Sequence, residues 1–318
     1  MTKNVLVPLD GSTLADAAVP HAIEVARRLG ASLRVVRVHT PMALVTAESQ
    51  PIVIPDSRIE HEVVTTKRAW LDARVNEIRK ASGLTVQAEF RIGSPGEEIV
   101  TAGQECGAKF IVCTTHGTGG WAPQWFGSVT DHIIRHAAEP VLAMSAAATV
   151  QTTTPGSMLV LLDGSVLSEE VLPEVISFAK MFNARVELFR VVSTPWVGDT
   201  DAVLARGADQ FEIDGFAQDA KHQLDAVAAH LRLQGLRVTS TVDVHHSPTR
   251  RILEHIERSN PEVVALATHA RGISRLLVGS VADKVLRAGA RPMLCVRPRH
   301  RSAFEDVRQL EADTAGIA

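Results

Sequence analysis

Gly127-Ser128-Val129-Thr130 puts a glycine and two hydroxyl side chains at the start of a helix-forming stretch. There, free backbone N–H groups and the positive end of the helix dipole can hold phosphate. Ser128 by itself would serve equally well as a simple N-cap. The loop before it shifts the balance, because Gly117, Gly119 and Gly120 let backbone amides fold closely round an anion. Asp10, at the end of the first apolar run, could accept hydrogen bonds from a ribose or an adenine amine; the competing reading is a plain Asp-Gly turn. His132 and His136 have the i, i+4 spacing of a zinc-binding HExxH, but Ile133, Ile134 and Arg135 lie between them and no third ligand is near. They read as surface histidines, no metal site is expected, and His245-His246 reads as a loop. No lysine or arginine lies between Phe110 and His132 to stabilise a transferring phosphoryl group, so phosphate binding is favoured over hydrolysis.

The elements that must position these residues occur twice. Leu6-Val7-Pro8-Leu9-Asp10-Gly11-Ser12 returns as Leu159-Val160-Leu161-Leu162-Asp163-Gly164-Ser165, and Pro20, Val38, Pro95 and His116 return as Pro173, Val191, Pro248 and His269. Gly127-Ser128-Val129 returns as Gly279-Ser280-Val281, one residue closer. A repeat of about 150 residues has the length of a domain. The reading is therefore two copies, 1–148 and 157–298, joined by a linker at 149–156 and followed by a tail at 299–318. In the first copy VLVPLD, LRVVRVH, LTVQAEFRI, FIVCTT and PVLAMS read as strands. Helices are expected from Ala15 to Gly30, Ser57 to Ala81, Pro95 to Cys106 and Val129 to His136. Apolar strands alternating with amphipathic helices predict an α/β fold, two tandem doubly wound parallel-sheet domains of Rossmann-like type. Ligands then sit beyond the carboxyl ends of the strands, where the strand order reverses.

With 33 basic and 36 acidic residues the net charge is −3, which gives no global electrostatic reason for nucleic acid or anionic lipid as partner. No apolar run reaches the roughly 20 residues that span a bilayer. The opening MTKNVLVPLD is too short and too polar for a signal peptide, and three cysteines (Cys106, Cys113, Cys295) fit no metal spacing. A cytoplasmic location is expected.

The VLVPLDGS opening, the Gly93-Ser94-Pro95 step and the stretch IVCTTHGTGGWAPQWFGSVTDHIIRHAAEPVLAM together resemble the universal stress protein family in a tandem two-domain form. ATP-binding members of that family carry G-x2-G-x9-G-[ST]; here the first copy reads Thr114-x2-Gly117-x9-Gly127-Ser128, with threonine in the first glycine's place. The resemblance implies an adenine nucleotide alpha hydrolase-like fold, with Pro8, Leu9 and Asp10 approaching adenine and ribose and Val38 and Cys113 lining the base pocket. It further implies that Thr114, His116 and Gly117 follow the ribose and phosphates, and that Gly127, Ser128, Val129 and Thr130 hold the phosphate tail. The second copy keeps Asp163, Val191, His269, Gly279, Ser280 and Val281, but Ala267 and Ala270 replace two glycines and the loop is one residue short, so a degenerate second site is expected. The implied function is a non-catalytic, ATP-binding stress-response regulator, with Mg²⁺ a candidate companion. The alternatives are a scaffold of the same fold acting through protein partners and a slow ATPase. Trp121 and Trp125 could anchor a protein partner or pack beneath their loop. The two halves are expected to pack as a pseudo-dimer through PVLAMS and PMLCVR.

Overall fold

Valine- and leucine-rich runs bounded by turn residues form strands here, and the amphipathic stretches between them cross over to the next strand as helices. The computed structural model describes residues 3–41, 57–115, 127–144, 153–193, 202–268, 280–288 and 291–298, with 202–212 described in backbone only. His116, Gly117, Gly119, Gly120, Trp121, Trp125, His269, Ala270 and Gly279 lie outside the described residues.

The first half contains β1 (Asn4–Pro8), α1 (Thr13–Asp16), α2 (Val19–Leu29), β2 (Ser32–His39), α3 (Ser57–Ser82), β3 (Val86–Ile92), α4 (Pro95–Cys106), β4 (Ala108–Thr114), α5 (Ser128–His136) and β5 (Val141–Met144). The second half repeats the order as β6 (Ser157–Leu161), α6 (Val166–Glu169), α7 (Leu172–Phe182), β7 (Arg185–Val192), α8 (Ala202–Leu233), β8 (Val238–Val244), α9 (Pro248–Ser259), β9 (Val263–Ala267), α10 (Ser280–Ala288) and β10 (Met293–Val296). The duplication reaches backbone dihedrals. Gly30 and Asn183 both end their helices in the left-handed conformation, as do Gly107 and Asn260, because asparagine is the other residue that tolerates it.

The ten strands form one sheet in the order β3-β2-β1-β4-β5-β10-β9-β6-β7-β8. Every pair is parallel except β5 and β10, which run antiparallel with Leu142 opposite Leu294. The order is a palindrome, so a pseudo-two-fold axis passes through that leucine pair. One face buries Val19, Val25, Leu71 and Val75 of α2 and α3. The other buries Ile99, Val100, Ile133 and Ile134 of α4 and α5.

Contacts across the axis fall on both faces. On the α2 side, Arg28 donates to the Met181 carbonyl at 2.7 Å and lies over the Phe182 ring, while Phe178 meets Phe110 edge-on at 6.3 Å. On the α5 side, Arg135 pairs with Asp131 at 2.7 Å and reaches Asp283 at 3.5 Å, while Arg287 pairs with Asp283 at 2.8 Å. His21 is buried among Phe178, Phe182, Leu142 and Pro155, and burial pushes its pKa down to about 4.

Two expectations need correction. The single helix from Ala15 to Gly30 is two helices: Pro20 has no N–H to bond back to Asp16, so α2 starts with the proline in its first turn. The edge strand β3 is not apolar either. It carries Glu89 and Arg91, which join Arg34, Glu98 and Glu105 in an ion-pair network, as suits a strand with one unpaired edge.

Candidate functional site

Strand order reverses between β1 and β4, and their carboxyl ends bring the predicted residues together. Side chains alternate along a strand, so Pro8 lies on the α4/α5 face, where Val38, Cys113 and Val129 pack against the same apolar cluster. Cys113 is 3% exposed, and burial pushes its thiol up to about 12; at neutral pH it is an inert apolar wall residue. Leu9 meets the crevice differently. Its side chain is buried in the opposite cluster with α2, so only its backbone borders the crevice, and its N–H is bonded to the Val36 carbonyl at 2.9 Å.

Asp10 is exposed above this wall. Its Oδ1 accepts the Ser12 N–H at 2.8 Å, and the Ser12 hydroxyl in turn accepts the Ala15 N–H at 3.1 Å and caps α1. Gly11 sits at φ +93°, where a side chain would be strained. The turn reading of Asp-Gly is therefore correct as far as it goes, and it leaves the carboxylate at the crevice mouth.

The floor is pinned from β4. Thr130, 6% exposed, donates its hydroxyl to the Thr114 carbonyl at 2.7 Å. The Gly127 N–H donates to the Thr115 carbonyl at 2.7 Å and the Thr115 N–H to the Met144 carbonyl at 2.8 Å. Gly127 is the extended N-cap of α5 (φ −61°, ψ 136°) with no side-chain cap, and exposed Ser128 opens the helix. Gly127 brings no side chain to cap this turn, and a helix start of that kind is what an anion would use. His116 and Gly117 belong to the connection that lies outside the described residues.

In the second half, Asp163 Oδ1 accepts both the amide (2.9 Å) and the hydroxyl (2.6 Å) of Ser165, and the Ser168 hydroxyl accepts the Asp163 N–H at 3.3 Å. Ser168 stands where the first half has Ala15. Val191 and Val281 pack on the shared cluster as Val38 and Val129 do, and Ser280 opens α10 exposed. Ala267 and Ala282 stand at the positions of Thr114 and Thr130, so the hydroxyl pin of the first half has no counterpart.

Several residues near the crevice were not singled out from sequence. His39, buried at the end of β2, holds Glu60 Oε1 at 2.6 Å on Nε2 and accepts from Lys67 at 2.9 Å on Nδ1, tying α3 to the sheet. Arg37 donates to the Asp10 carbonyl at 3.2 Å and stacks on Trp70. The available signal was the repeat itself, since Arg37 recurs as Arg190. His132 and His136 differ from the surface reading: they stack at 4.0 Å, and His132 is half-buried against Gly96. Among the described residues no group of three His, Cys, Asp or Glu side chains is placed to hold a metal, and no helix is long and apolar enough to cross a membrane.

Residues 1–145 and 156–297 each match the sequence profile of the Universal stress protein family. A universal stress protein of Mycolicibacterium smegmatis is 24% identical over 301 residues, covering 93% of this chain and 97% of its own length. One from Mycobacterium tuberculosis is 28% identical over 222 residues, 67% of this chain and 70% of its own. Among solved structures, a universal stress protein of Archaeoglobus fulgidus superimposes with a TM-score of 0.68 at 17% identity, over 93% of this chain and 97% of the other. A repeated doubly wound unit, matched by the family profile once in each half, makes this chain a member of the universal stress protein family with two family domains in tandem.

Proposed function

We propose that the first half binds an adenine nucleotide, ATP in the first instance, and that the protein serves as a non-catalytic, nucleotide-responsive regulator of stress tolerance in the cytoplasm. The observation that carries this reading is the crevice where strand order reverses. It has an apolar wall of Pro8, Val38, Cys113 and Val129 beside the Asp10 carboxylate, and a helix start at Gly127-Ser128 whose N-cap glycine brings no side chain. A flat apolar base, a hydroxyl-bearing sugar and a phosphate chain ask for those three surfaces in that order. Asp10 would accept from the ribose, and the amides of Ser128, Val129 and Thr130 would face the phosphates. Mg²⁺ would ride mainly on phosphate oxygens, the usual arrangement for an ion that dehydrates reluctantly. The absence of lysine or arginine from Phe110 to His132 argues against efficient phosphoryl transfer.

Heating the pure protein and analysing the supernatant for released nucleotide tests the reading, followed by calorimetric titration of stripped protein with ATP. Released ATP, or ATP binding lost in Asp10→Ala, supports it. No nucleotide in the supernatant and no heat of binding would leave the scaffold reading in its place.

A further inference from the structure

Arg37 leaves β2 on the α3 side of the sheet, one residue before the wall residue Val38, and turns over the strand ends. Its guanidinium lies 4.3 Å over the Trp70 ring of α3 and donates to the Asp10 carbonyl at 3.2 Å. It also lies flat on the turn: a Cβ added at Gly11 would stand 3.0 Å from Arg37 Nη2. Gly11 thus serves two ends, the positive φ of the turn and the close approach of this cation. In the second half Arg190 lies against Gly164 so closely that a Cβ there would collide with it. Its planar neighbour is different, for Gln223 stands at the position of Trp70 and accepts from Arg190 at 2.8 Å.

We propose that Arg37, held flat by Trp70, is a positioning residue that fixes the Asp10-Gly11-Ser12 turn so that the Asp10 carboxylate keeps one orientation at the crevice mouth. Three constraints meet on this short turn: the guanidinium bond to the Asp10 carbonyl, the Ser12 N–H bond to its carboxylate, and the left-handed Gly11 between them. A stacked guanidinium has lost most of its freedom before it bonds, which a lysine in its place would not have. The same cation offsets carboxylate charge beside an anionic ligand, and its charge is secure: burial pulls its pKa down and Asp10 pushes it back up, from a starting point far above neutrality. Arg190 instead donates to Gln223 on a helix surface, so it orders the second turn through a flexible amide and not an aromatic plate.

The proposal rests on the nucleotide reading for its consequence but not for its geometry, and the test separates the two. Arg37→Ala, Arg37→Lys and Trp70→Ala would be compared with the unchanged full chain for thermal melting, for Ser12 amide exchange by NMR without ligand, and for ATP affinity. The expected result is an unchanged melting cooperativity, Ser12 exchange faster by about tenfold and ATP affinity weaker by about tenfold in Arg37→Ala. Arg37→Lys should restore less than half of either effect, and combining Arg37→Ala with Trp70→Ala should add little to the first change alone. Ser12 exchange at the unchanged protein's rate in Arg37→Ala would overturn the proposal whatever ATP does. So would full rescue by lysine, or accelerated exchange with ATP affinity untouched. If the unchanged protein binds no ATP, accelerated Ser12 exchange without lysine rescue still upholds the positioning role, and the nucleotide reading alone falls.

Discussion

The two halves share a strand order, helix caps and an Asp-Gly-Ser turn, yet the chemistry at their strand ends has diverged. In the first half Thr130 pins the Thr114 carbonyl, Trp70 backs Arg37, and His39 links Glu60 and Lys67. In the second, alanines stand at both threonine positions, Gln223 replaces the tryptophan and Val192 the histidine. What both retain lies in the sheet and in the seam. Leu142 and Leu294 face each other, each half carries an Arg–Asp pair on its own last helix, and Arg135 reaches across the axis to Asp283. A duplicated domain needs its partner to cover the exposed edge of its last strand, so packing constrains both copies equally. A ligand site can lapse in one copy without unfolding either.

The sharpest way to break the comparison is to attack what the halves share. Leu142→Asp buries a carboxylate in the apolar cluster at the axis, beside the His21 imidazole that burial keeps neutral, and the expected loss is about 4 kcal/mol or more, read as a fall in the denaturant midpoint. Survival of the fold at wild-type stability would mean that the seam is not part of the cooperative unit.

Next in size are the changes that should act in one half only. Asp10→Ala and Gly127→Val are each expected to weaken ATP binding by about ten- to a hundredfold, roughly 1.4–2.8 kcal/mol, while Asp163→Ala leaves the affinity unchanged. Gly127 has an ordinary extended conformation (φ −61°), so valine there should leave the melt intact and obstruct only the ligand's approach. Equal losses from Asp10→Ala and Asp163→Ala would erase the asymmetry.

A pH titration probes the seam from one side. His21 occupies the position of Glu174 in the repeat, and its imidazole is held neutral by burial, with a pKa near 4 against the ordinary 6.5. The unfolded chain binds the proton more readily, so this contribution is fully present above about pH 6.5 and is lost as pH falls through 6.5 towards 4. Discounted for residual solvent access, it amounts to on the order of 2 kcal/mol. His21→Leu should flatten the acid limb of the stability profile between those values, and an unaltered limb would assign the acid sensitivity to other groups.

The smallest expected effect comes from making the first half resemble the second. Thr130→Ala removes the bond to the Thr114 carbonyl and should cost about 1 kcal/mol in stability, with a several-fold loss of ATP affinity. Ala282→Thr in the other half should produce no binding.

Much of this was legible from residue types alone. Apolar periodicity and the offset between Asp10 and Asp163 sufficed for the strand–helix alternation and the tandem architecture, because both depend on local pattern. Asp10 and Gly127 could be placed at one crevice because strand ends in such sheets converge by topology, whereas Val38 and Cys113 came only from the family resemblance. The break before Pro20 escaped because helical periodicity continues through it, although proline's missing N–H was there to be weighed. The burial of the Leu9 side chain on the α2 face follows from the alternation of side chains along β1, which the family resemblance does not convey. Arg37 on Trp70 joins a strand to a helix 33 positions later, and no spacing rule announces such a contact. The Arg135–Asp283 brace likewise needs the folded axis before its partners meet.

The central claim, one nucleotide site built by the first half, is tested most directly by calorimetric stoichiometry on nucleotide-stripped protein. About one ATP per chain is expected, with a single heat of binding that disappears in Asp10→Ala and persists unchanged in Asp163→Ala. About two ATP per chain, falling to one in Asp163→Ala, would contradict it.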